Sequence, residues 1–421
     1  MPARSQDAAQ RACPRDAPLV THCMHVVYVW PYVEWGGAQT YLLGIMKHAR
    51  GRRLSAVIPR GSSPTLLAYL EGLGVPVELL ASRLPVVPTR SLAGRVRTRW
   101  KLLTTTIDLF RTLARRARRD TVFHCDLAPW TFFTLLAYLS LRSQAVVTLH
   151  TGLPRVAAPR RWIWRAKFSL LCALPGFRMI AANRDMLQSL TPYLGLAARS
   201  RIVVAYSPVD ADEVLAAIDP RADRRAPLVR LGLSADRFYA VTLAQFIDRK
   251  GRWVLLDAAR EVTGAHPDVV FLWMAPEPMA DADRARVEAA GLRDRFRFLT
   301  PADFGAARAD LFRMLAAADL FVLPAFEEGL PLAIIEAMAV GTPVVASRIN
   351  AIPEAIEDGT HGLLTPPGDA HALAQAIARL REDTPLRTRM GHACRARALR
   401  EFDLVHTAGI TLAEYDAVLA R

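Results

Sequence analysis

Between Leu320 and Ala346 the chain runs from an apolar strand through an acidic glycine turn into a helix, then into a second apolar strand. Few folds accept that succession. Leu320 to Leu323 is the first strand. Residues Ala325 to Ala346 then read Ala-Phe-Glu-Glu-Gly-Leu-Pro-Leu-Ala-Ile-Ile-Glu-Ala-Met-Ala-Val-Gly-Thr-Pro-Val-Val-Ala. The chain turns at Glu327-Glu328-Gly329. Pro331 suits the first position of a helix, where its missing N–H costs nothing. Gly341 suits the position just past the helix end, and Pro343 to Ala346 opens the next strand. The stretch is a short βαβ unit.

Ligands of such units bind beyond the carboxyl ends of the strands, and anions bind at helix N-termini, where free N–H groups and the dipole point at them. Glu328 falls in that crevice. Glu336, separated from it by seven residues, lies one to two turns into the helix, where a carboxylate can accept hydrogen bonds from a ribose diol. The arrangement implies a diphosphate at the helix start with a hydroxyl-rich group on each side, as in a nucleotide sugar. An isolated Glu pair of this spacing is ordinarily a helix cap and a solvated helix residue; the whole string is far more specific.

With Glu328-Gly329-Leu330-Pro331-Leu332 followed by Glu336-Ala337-Met338-Ala339-Val340-Gly341-Thr342-Pro343, the string resembles the retaining GT-B glycosyltransferases of family 4, the glycosyl transferases group 1. The resemblance covers nearly the whole chain after Met24 and is strongest from about Ala240 to Ile377. It implies an α/β protein of GT-B type, two Rossmann-like doubly wound parallel-sheet domains with an interdomain cleft. It also implies a sugar transfer from a nucleotide-diphosphate sugar to a glycan or lipid-linked acceptor in cell-surface polysaccharide synthesis. In the family the leaving phosphate is thought to take the acceptor proton, so no general base is assigned.

Residue by residue, the resemblance makes Glu328, Lys250 and His150 the catalytic set. Glu336, Gly329, Leu330, Pro331, Leu332, Gln245, Gly36, Gly37, Arg297 and Phe298 form the donor-binding set. Lys250 matches the family lysine on the donor diphosphate, where a fixed cation stabilises the leaving group. Gln245 stands where the family has an arginine, and a neutral amide supplies neither charge nor a bidentate contact. Arg249 could compensate, although its side chain is expected to point elsewhere. Gly36-Gly37 follows the first strand, where glycine lets backbone approach a ligand. His150 ends the strand Ala145 to Leu149; His124 also ends a strand and is a weaker second contact. Arg297-Phe298 matches a segment whose backbone meets the nucleobase. Two loops depart from the family: Ala275-Pro276-Glu277-Pro278 replaces a glycine-rich turn, and Asn350-Ala351 replaces Gly-Gly. Asp210-Ala211-Asp212 and Asp281-Ala282-Asp283 have the spacing of a divalent-ion motif but read as helix-start acids. No metal and no cofactor are therefore expected, only the nucleotide-sugar substrate.

The 421 residues suit two domains, and 52% hydrophobic content allows a large core. Five cysteines, Cys13, Cys23, Cys125, Cys172 and Cys394, without a Cys-x-x-Cys pair, argue for reduced thiols and against a disulfide framework or zinc site. The longest apolar run, Trp130 to Leu141, is too short to span a bilayer, and residues 1–23 lack the apolar centre of a signal peptide. Residues 1–23 read as a disordered tail, with Met24 as an alternative start. A cytoplasmic protein is expected. The net charge of +14 is concentrated in Arg90 to Arg119, where Asp108 is the one acid, and in Arg155 to Lys167 with Trp162 and Trp164. Basic residues interleaved with aromatics suit an anionic membrane surface, placing the protein peripherally on the inner face of the membrane. No nucleic-acid motif accompanies the charge, so no nucleic acid is expected.

Short apolar runs alternating with helical spacing continue along the chain, as in parallel sheets with helices on both faces. The expected division is 24–218 for an N-terminal acceptor-side domain, 219–227 for a linker, 228–400 for a C-terminal nucleotide-sugar-binding domain, and 401–421 for a helix crossing back to the N-terminal domain. Two other readings use the same scaffold: a non-catalytic nucleotide-sugar-binding protein, favoured by Gln245 and the lost glycines, and a nucleotide-sugar epimerase.

Overall fold

A computed structural model describes residues 24–33, 36–49, 51–84, 91–150, 153 and 156–420. The expected tail 1–23, together with Trp35, Arg90, Arg155, Cys13 and Cys23, lies outside the described residues. The chain divides into two compact units. One holds residues up to Ala182, Met186–Ala205 and Ala408–Arg421; the other holds Asn183–Asp185 and Tyr206–Thr407.

The N-terminal unit carries seven strands: β1 His25–Val29, β2 Arg53–Pro59, β3 Val77–Leu80, β4 Thr121–Cys125, β5 Gln144–Leu149, β6 Phe177–Ala181 and β7 Ile202–Val204. All neighbours pair in parallel, in the order β3-β2-β1-β4-β5-β6-β7. Alternate residues face opposite ways. Val27, Val29, Phe123, Cys125 and Val147 point to one layer, where Leu109, Leu135, Leu139, Phe168 and Leu171 complete a core. Those leucines and Phe168 belong to the helices Leu92–Ala114, Phe133–Arg142 and Ala158–Ala173.

Other strand residues bury polar groups. His124 is fully buried, shares a hydrogen bond with Thr148 Oγ1 at 2.6 Å through Nε2, and meets the Tyr415 hydroxyl through Nδ1. Tyr41 meets Thr411 at 3.1 Å, and Arg52 reaches Asp416 at 2.8 Å. Residues 408–420 are thus tied into this unit by buried polar contacts. Burial, then the neighbouring His150, holds the His124 imidazole down at about 3. Unfolding frees it to bind a proton below 6.5, so acid favours the unfolded chain and stability falls as pH drops below 6.5. His124→Gln keeps a hydrogen-bonding side chain without the titration. We expect urea unfolding followed across that range to lose up to about 1.4 kcal/mol per pH unit of acid sensitivity in the variant; an unchanged pH slope would reject the assignment.

The C-terminal unit carries β8 Phe238–Leu243, β9 Val269–Met274, β10 Phe296–Leu299, β11 Leu320–Leu323, β12 Val344–Ser347 and β13 Gly362–Thr365. They pair in parallel in the order β10-β9-β8-β11-β12-β13. The sequence reading lacked β13 and the helices Ala370–Glu382 and Thr384–Glu401 that follow it. In both sheets the order reverses beside the first strand, at β1/β4 and at β8/β11. Such switch points open a crevice at the carboxyl ends of the strands.

Two expectations need correction. Residues 219–227 are not a linker between units: they lie inside the C-terminal unit and end in a short helix, Ala226–Arg230. Arg225 holds Asp319 at 2.8 and 2.9 Å and the Ala317 carbonyl at 2.6 Å, while Arg224 holds the Ala318 carbonyl at 2.6 Å. These carbonyls end the helix Arg308–Ala317 and need donors, so charge docks the segment. The chain passes between units earlier, at Ala205–Tyr206. Pro331, in turn, is not the first helical residue. It caps the helix Leu332–Ala339 in an extended conformation, with φ −68° and ψ 120°. The other end matches its expectation. Gly341 has φ +85°, its N–H donates to Met338 O at 2.9 Å, and Thr342 N–H donates to Ala337 O at 2.9 Å. This is the paired closure that a left-handed residue permits.

Candidate functional site

In the C-terminal unit, β8 and β11 lie side by side and the loops that leave them are locked together. Gly251 has φ +75°, and a Cβ there would stand 1.9 Å from the Pro324 carbonyl oxygen. Glycine is thus required both for the left-handed turn and for the close approach. The Phe326 N–H donates to Arg249 O at 2.9 Å. This packing delivers Lys250, at the end of the turn Asp248–Lys250, to Glu328, and the ammonium donates to Glu328 Oε1. Both side chains are largely buried. Lys250 and the Glu328–Pro331 turn, 78 residues apart between Lys250 and Glu328, therefore converge on one place.

Arg249 departs from its expected direction. Its Nη1 donates to Glu327 O at 2.9 Å and stands 3.9 Å from Glu328 Oε2. A second, exposed cation thus accompanies Lys250. Asn350 is one of the two residues that replace the family's Gly-Gly. Where two glycines were expected, Asn350 has φ +42° and its Oδ1 accepts the Glu328 N–H at 3.3 Å. Asparagine tolerates the left-handed region better than other non-glycine residues. It replaces the glycine conformationally and adds a bond that holds the acidic turn. An Asn at a glycine position was the signal for this in the sequence.

From Glu328 the chain passes Gly329, buried Leu330 and buried Pro331 into the helix that begins at Leu332. No side chain caps this N-terminus. Pro331 O accepts from Ile334 and Ile335, at 3.1 and 3.4 Å. The earlier amides of the first turn are the kind of free donors that favour an anion.

Glu336 is only 4% exposed, so it is not a solvated helix residue. Arg308 Nη2 donates to Glu336 Oε1 at 2.9 Å, and Arg308 Nε donates to Glu213 Oε2 at 2.9 Å. Burial opposes the Arg308 charge, but the two carboxylates outweigh it and raise its pKa further. Sequence reasoning missed Arg308 altogether: it lies on another helix, and no motif marks it.

Gln245 lies between Leu243 and Lys250 on the loop after β8. It lines a pocket of ≈ 230 Å³ with Phe246, Ile247, Ala275 to Ala280 and Asp283. Both departures, Gln245 and Ala275-Pro276-Glu277-Pro278, thus border one cavity. Phe246 anchors its floor edge-on to Phe298, 5.5 Å between ring centres, and to Trp273 at 4.9 Å. The neighbouring Arg297 is exposed. Asp283 is paired with Arg252 at 2.7 Å, and Asp210 caps its helix through the Glu213 N–H at 3.1 Å. Both Asp-x-Asp pairs therefore begin helices, as read. Among the described residues no group of three or more His, Cys, Asp or Glu side chains is placed to hold a metal. Cys125, Cys172 and Cys394 are buried free thiols.

The N-terminal unit holds the remaining candidates. Gly36 precedes the helix Gly37–His48. Its φ of −172° is extended, and a Cβ there would have only Gln39 Oε1 within reach at 3.8 Å. The conformation itself does not demand glycine; what Gly36 and Gly37 provide is an exposed, side-chain-free helix start. His150 follows β5 and packs edge-on to Tyr41 at 5.4 Å. Its buried Nε2 has no hydrogen-bond partner among the described residues. Burial lowers its pKa against the opposing pull of Asp126, leaving a neutral imidazole. His124, by contrast, has both nitrogens engaged and serves the unit's interior.

Comparison with known proteins bears on this arrangement. The chain matches the Glycosyltransferase Family 4 profile over residues 35–213 and the Glycosyl transferases group 1 profile over residues 237–383. It is 34% identical over 178 residues to a D-inositol 3-phosphate glycosyltransferase of Corynebacterium glutamicum, covering 41% of each chain. It is 37% identical over 171 residues to a phosphatidyl-myo-inositol mannosyltransferase of Mycobacterium leprae, covering 40% of this chain and 44% of that one. The matched stretch spans less than half the length of either relative. The crystal structure of Anabaena Alr3699/HepE in complex with UDP superposes with a TM-score of 0.72 at 21% identity, over 94% of this chain and all of that one, and so shares the two-sheet GT-B fold. With one profile across most of each unit, the chain belongs to the family 4, group 1 glycosyltransferases.

Proposed function

We propose that the protein transfers a sugar, with retention of anomeric configuration, from a nucleoside-diphosphate sugar to a hydroxyl of a glycan or lipid-linked acceptor in cell-surface polysaccharide synthesis. The observation that carries this reading is the convergence of Lys250, Arg249 and the uncapped Leu332 helix start on Glu328 at the β8/β11 switch point. In this reading the diphosphate occupies the helix start. Lys250 has three donors, so it can keep Glu328 and still meet a phosphate oxygen. As the bond to the leaving diphosphate breaks, charge grows on oxygens that face a fixed cation and oriented amides, the electrostatic condition for lowering the barrier. Glu328 binds sugar hydroxyls and favours an oxocarbenium-like state. Glu336, held through Oε1 by Arg308, offers its second oxygen to the ribose. The Phe246–Phe298 edge and the Gln245 pocket receive the base. His150 is the N-terminal unit's candidate sugar contact. These groups meet the diphosphate charge themselves, so the reading assigns no metal.

The relatives named for inositol-phosphate and phosphatidylinositol acceptors support a polyol or lipid acceptor class. The test is a donor screen: UDP-, GDP- and ADP-sugars are offered, nucleotide release is read by mass spectrometry, and donor binding by calorimetry. We expect one donor class to bind and to release its nucleoside diphosphate, with an α-linked product from an α-linked donor. Binding without turnover of any donor would make the protein a binder rather than a transferase. Interconversion of the donor's sugar would make it an epimerase.

A further inference from the structure

A helix needs one apolar face to pack on a sheet; the helix Leu92–Ala114 has two. Leu109 and Leu113 are fully buried in the core of the N-terminal unit. At about 100° per residue, Val96, Trp100, Leu103 and Ile107 fall within an arc of about 60° on the opposite side. All four are exposed, Trp100 by 66%. Arg97 and Arg111 flank this stripe on one side and Arg99 on the other, all exposed. The helix's one acid, Asp108, is engaged instead by the Ser82 N–H and hydroxyl, at 3.0 and 2.8 Å.

The pattern recurs on a second helix of the same layer. In Ala158–Ala173, Trp164, Phe168 and Leu171 face the core, while Trp162 (68% exposed), Ile163 and Leu170 face out. Arg160, Arg161 and Arg165 stand exposed around them. Between the two lies Phe133–Arg142, packed against both, with Leu141 exposed. Three neighbouring helices on one face of the sheet therefore turn apolar side chains away from it, ringed by arginines. Contiguous exposed apolar patches mark interaction sites. Tryptophan with arginine around aliphatic side chains is the chemistry of a lipid headgroup boundary.

We propose that this outer helical face is a docking surface for an anionic lipid bilayer, entered by Trp100, Leu103, Trp162 and Ile163 and held by the surrounding arginines. Among the described residues no helix is long and apolar enough to cross a membrane, so attachment by this face would be peripheral. The proposal does not depend on the glycosyl-transfer reading.

Sedimentation of the full chain with phosphatidylcholine vesicles, with and without phosphatidylglycerol, tests it. The protein is expected to bind the anionic vesicles at least about tenfold more tightly than the neutral ones, and to be released by salt. Trp100→Ser with Leu103→Gln, and separately Trp162→Ser with Ile163→Gln, are each expected to weaken anionic-vesicle binding about tenfold or more. Their circular dichroism and any nucleotide-sugar affinity should stay unchanged. Equal binding to both vesicle types overturns the proposal, and so does anionic binding insensitive to both apolar pairs, which would leave a merely basic surface. Analytical ultracentrifugation covers the remaining occupant: a dimer that both pairs dissolve would make this face an interface between copies of the chain. Because no donor is present, failure here leaves the donor screen untouched.

Discussion

Lys250→Ala is expected to reduce turnover of the cognate donor by about 10²–10³-fold, the cost of removing one preorganised charge from a developing oxyanion. The structure adds a second consequence. Lys250 is the closest cation to Glu328, and both side chains are largely buried. Deleting one partner of a buried pair leaves the other charge uncompensated. Arg249, 3.9 Å from the other carboxylate oxygen, recovers part of that loss, so folding stability should fall by about 2 kcal/mol rather than the full cost of an orphaned charge. Lys250→Arg keeps the charge but not the compact ammonium, and should retain intermediate activity. Glu328→Ala should abolish turnover while leaving Lys250 free to bind phosphate, so donor affinity survives where catalysis does not. Steady-state kinetics with calorimetric donor binding separates the two variants; full turnover in Glu328→Ala would remove that residue from the site.

Arg308→Ala is the second large effect, and it acts on Glu336 rather than on the Lys250–Glu328 pair. The guanidinium joins Glu213 and Glu336 at 2.9 Å each, with Glu336 buried on its helix. Without it the buried Glu336 carboxylate loses its guanidinium partner. A loss of about 3–5 kcal/mol is expected, which lowers the melting temperature of a unit this size by roughly 10 °C. A purely structural role would stop there. If Glu336 holds the ribose, donor KM should also rise by about tenfold or more with kcat much less changed, since the lost interaction is uniform binding. Arg308→Lys should recover stability in part, but not the forked contact to both carboxylates. A melting shift with unchanged KM would show that Glu336 serves the fold and not the donor.

These two variants also mark where sequence reasoning succeeded and failed. The Glu328 to Ala346 string was legible because its constraints are local. A proline before a helix, a glycine at φ +85° after it, and apolar runs on both sides each follow from backbone geometry within a few residues. The strands were legible for the same reason: β11 matches its expected bounds, and β5 and β12 lie within one residue of theirs. The segment 219–227 was misread because charge and proline are local signals for a linker, whereas the acceptors that bind Arg224 and Arg225 lie more than ninety residues away. At Asn350 the sequence shows a replaced glycine but not that the asparagine takes a left-handed turn, with φ +42°.

The amino-acid order alone decided the two-sheet architecture, the acidic turn, the helix that follows it, and the lysine that serves it. Each of those is written in neighbouring residues. Only the folded chain decided that Lys250 reaches Glu328, that Arg249 turns toward the same carboxylate, that Arg308 bridges Glu213 and Glu336, and that the basic helices keep a second apolar face outside the core. Those outcomes depend on which strands become neighbours and which helix faces the sheet consumes. Parallel pairing joins segments scores of residues apart, so the partners of a buried charge are set by topology rather than by spacing.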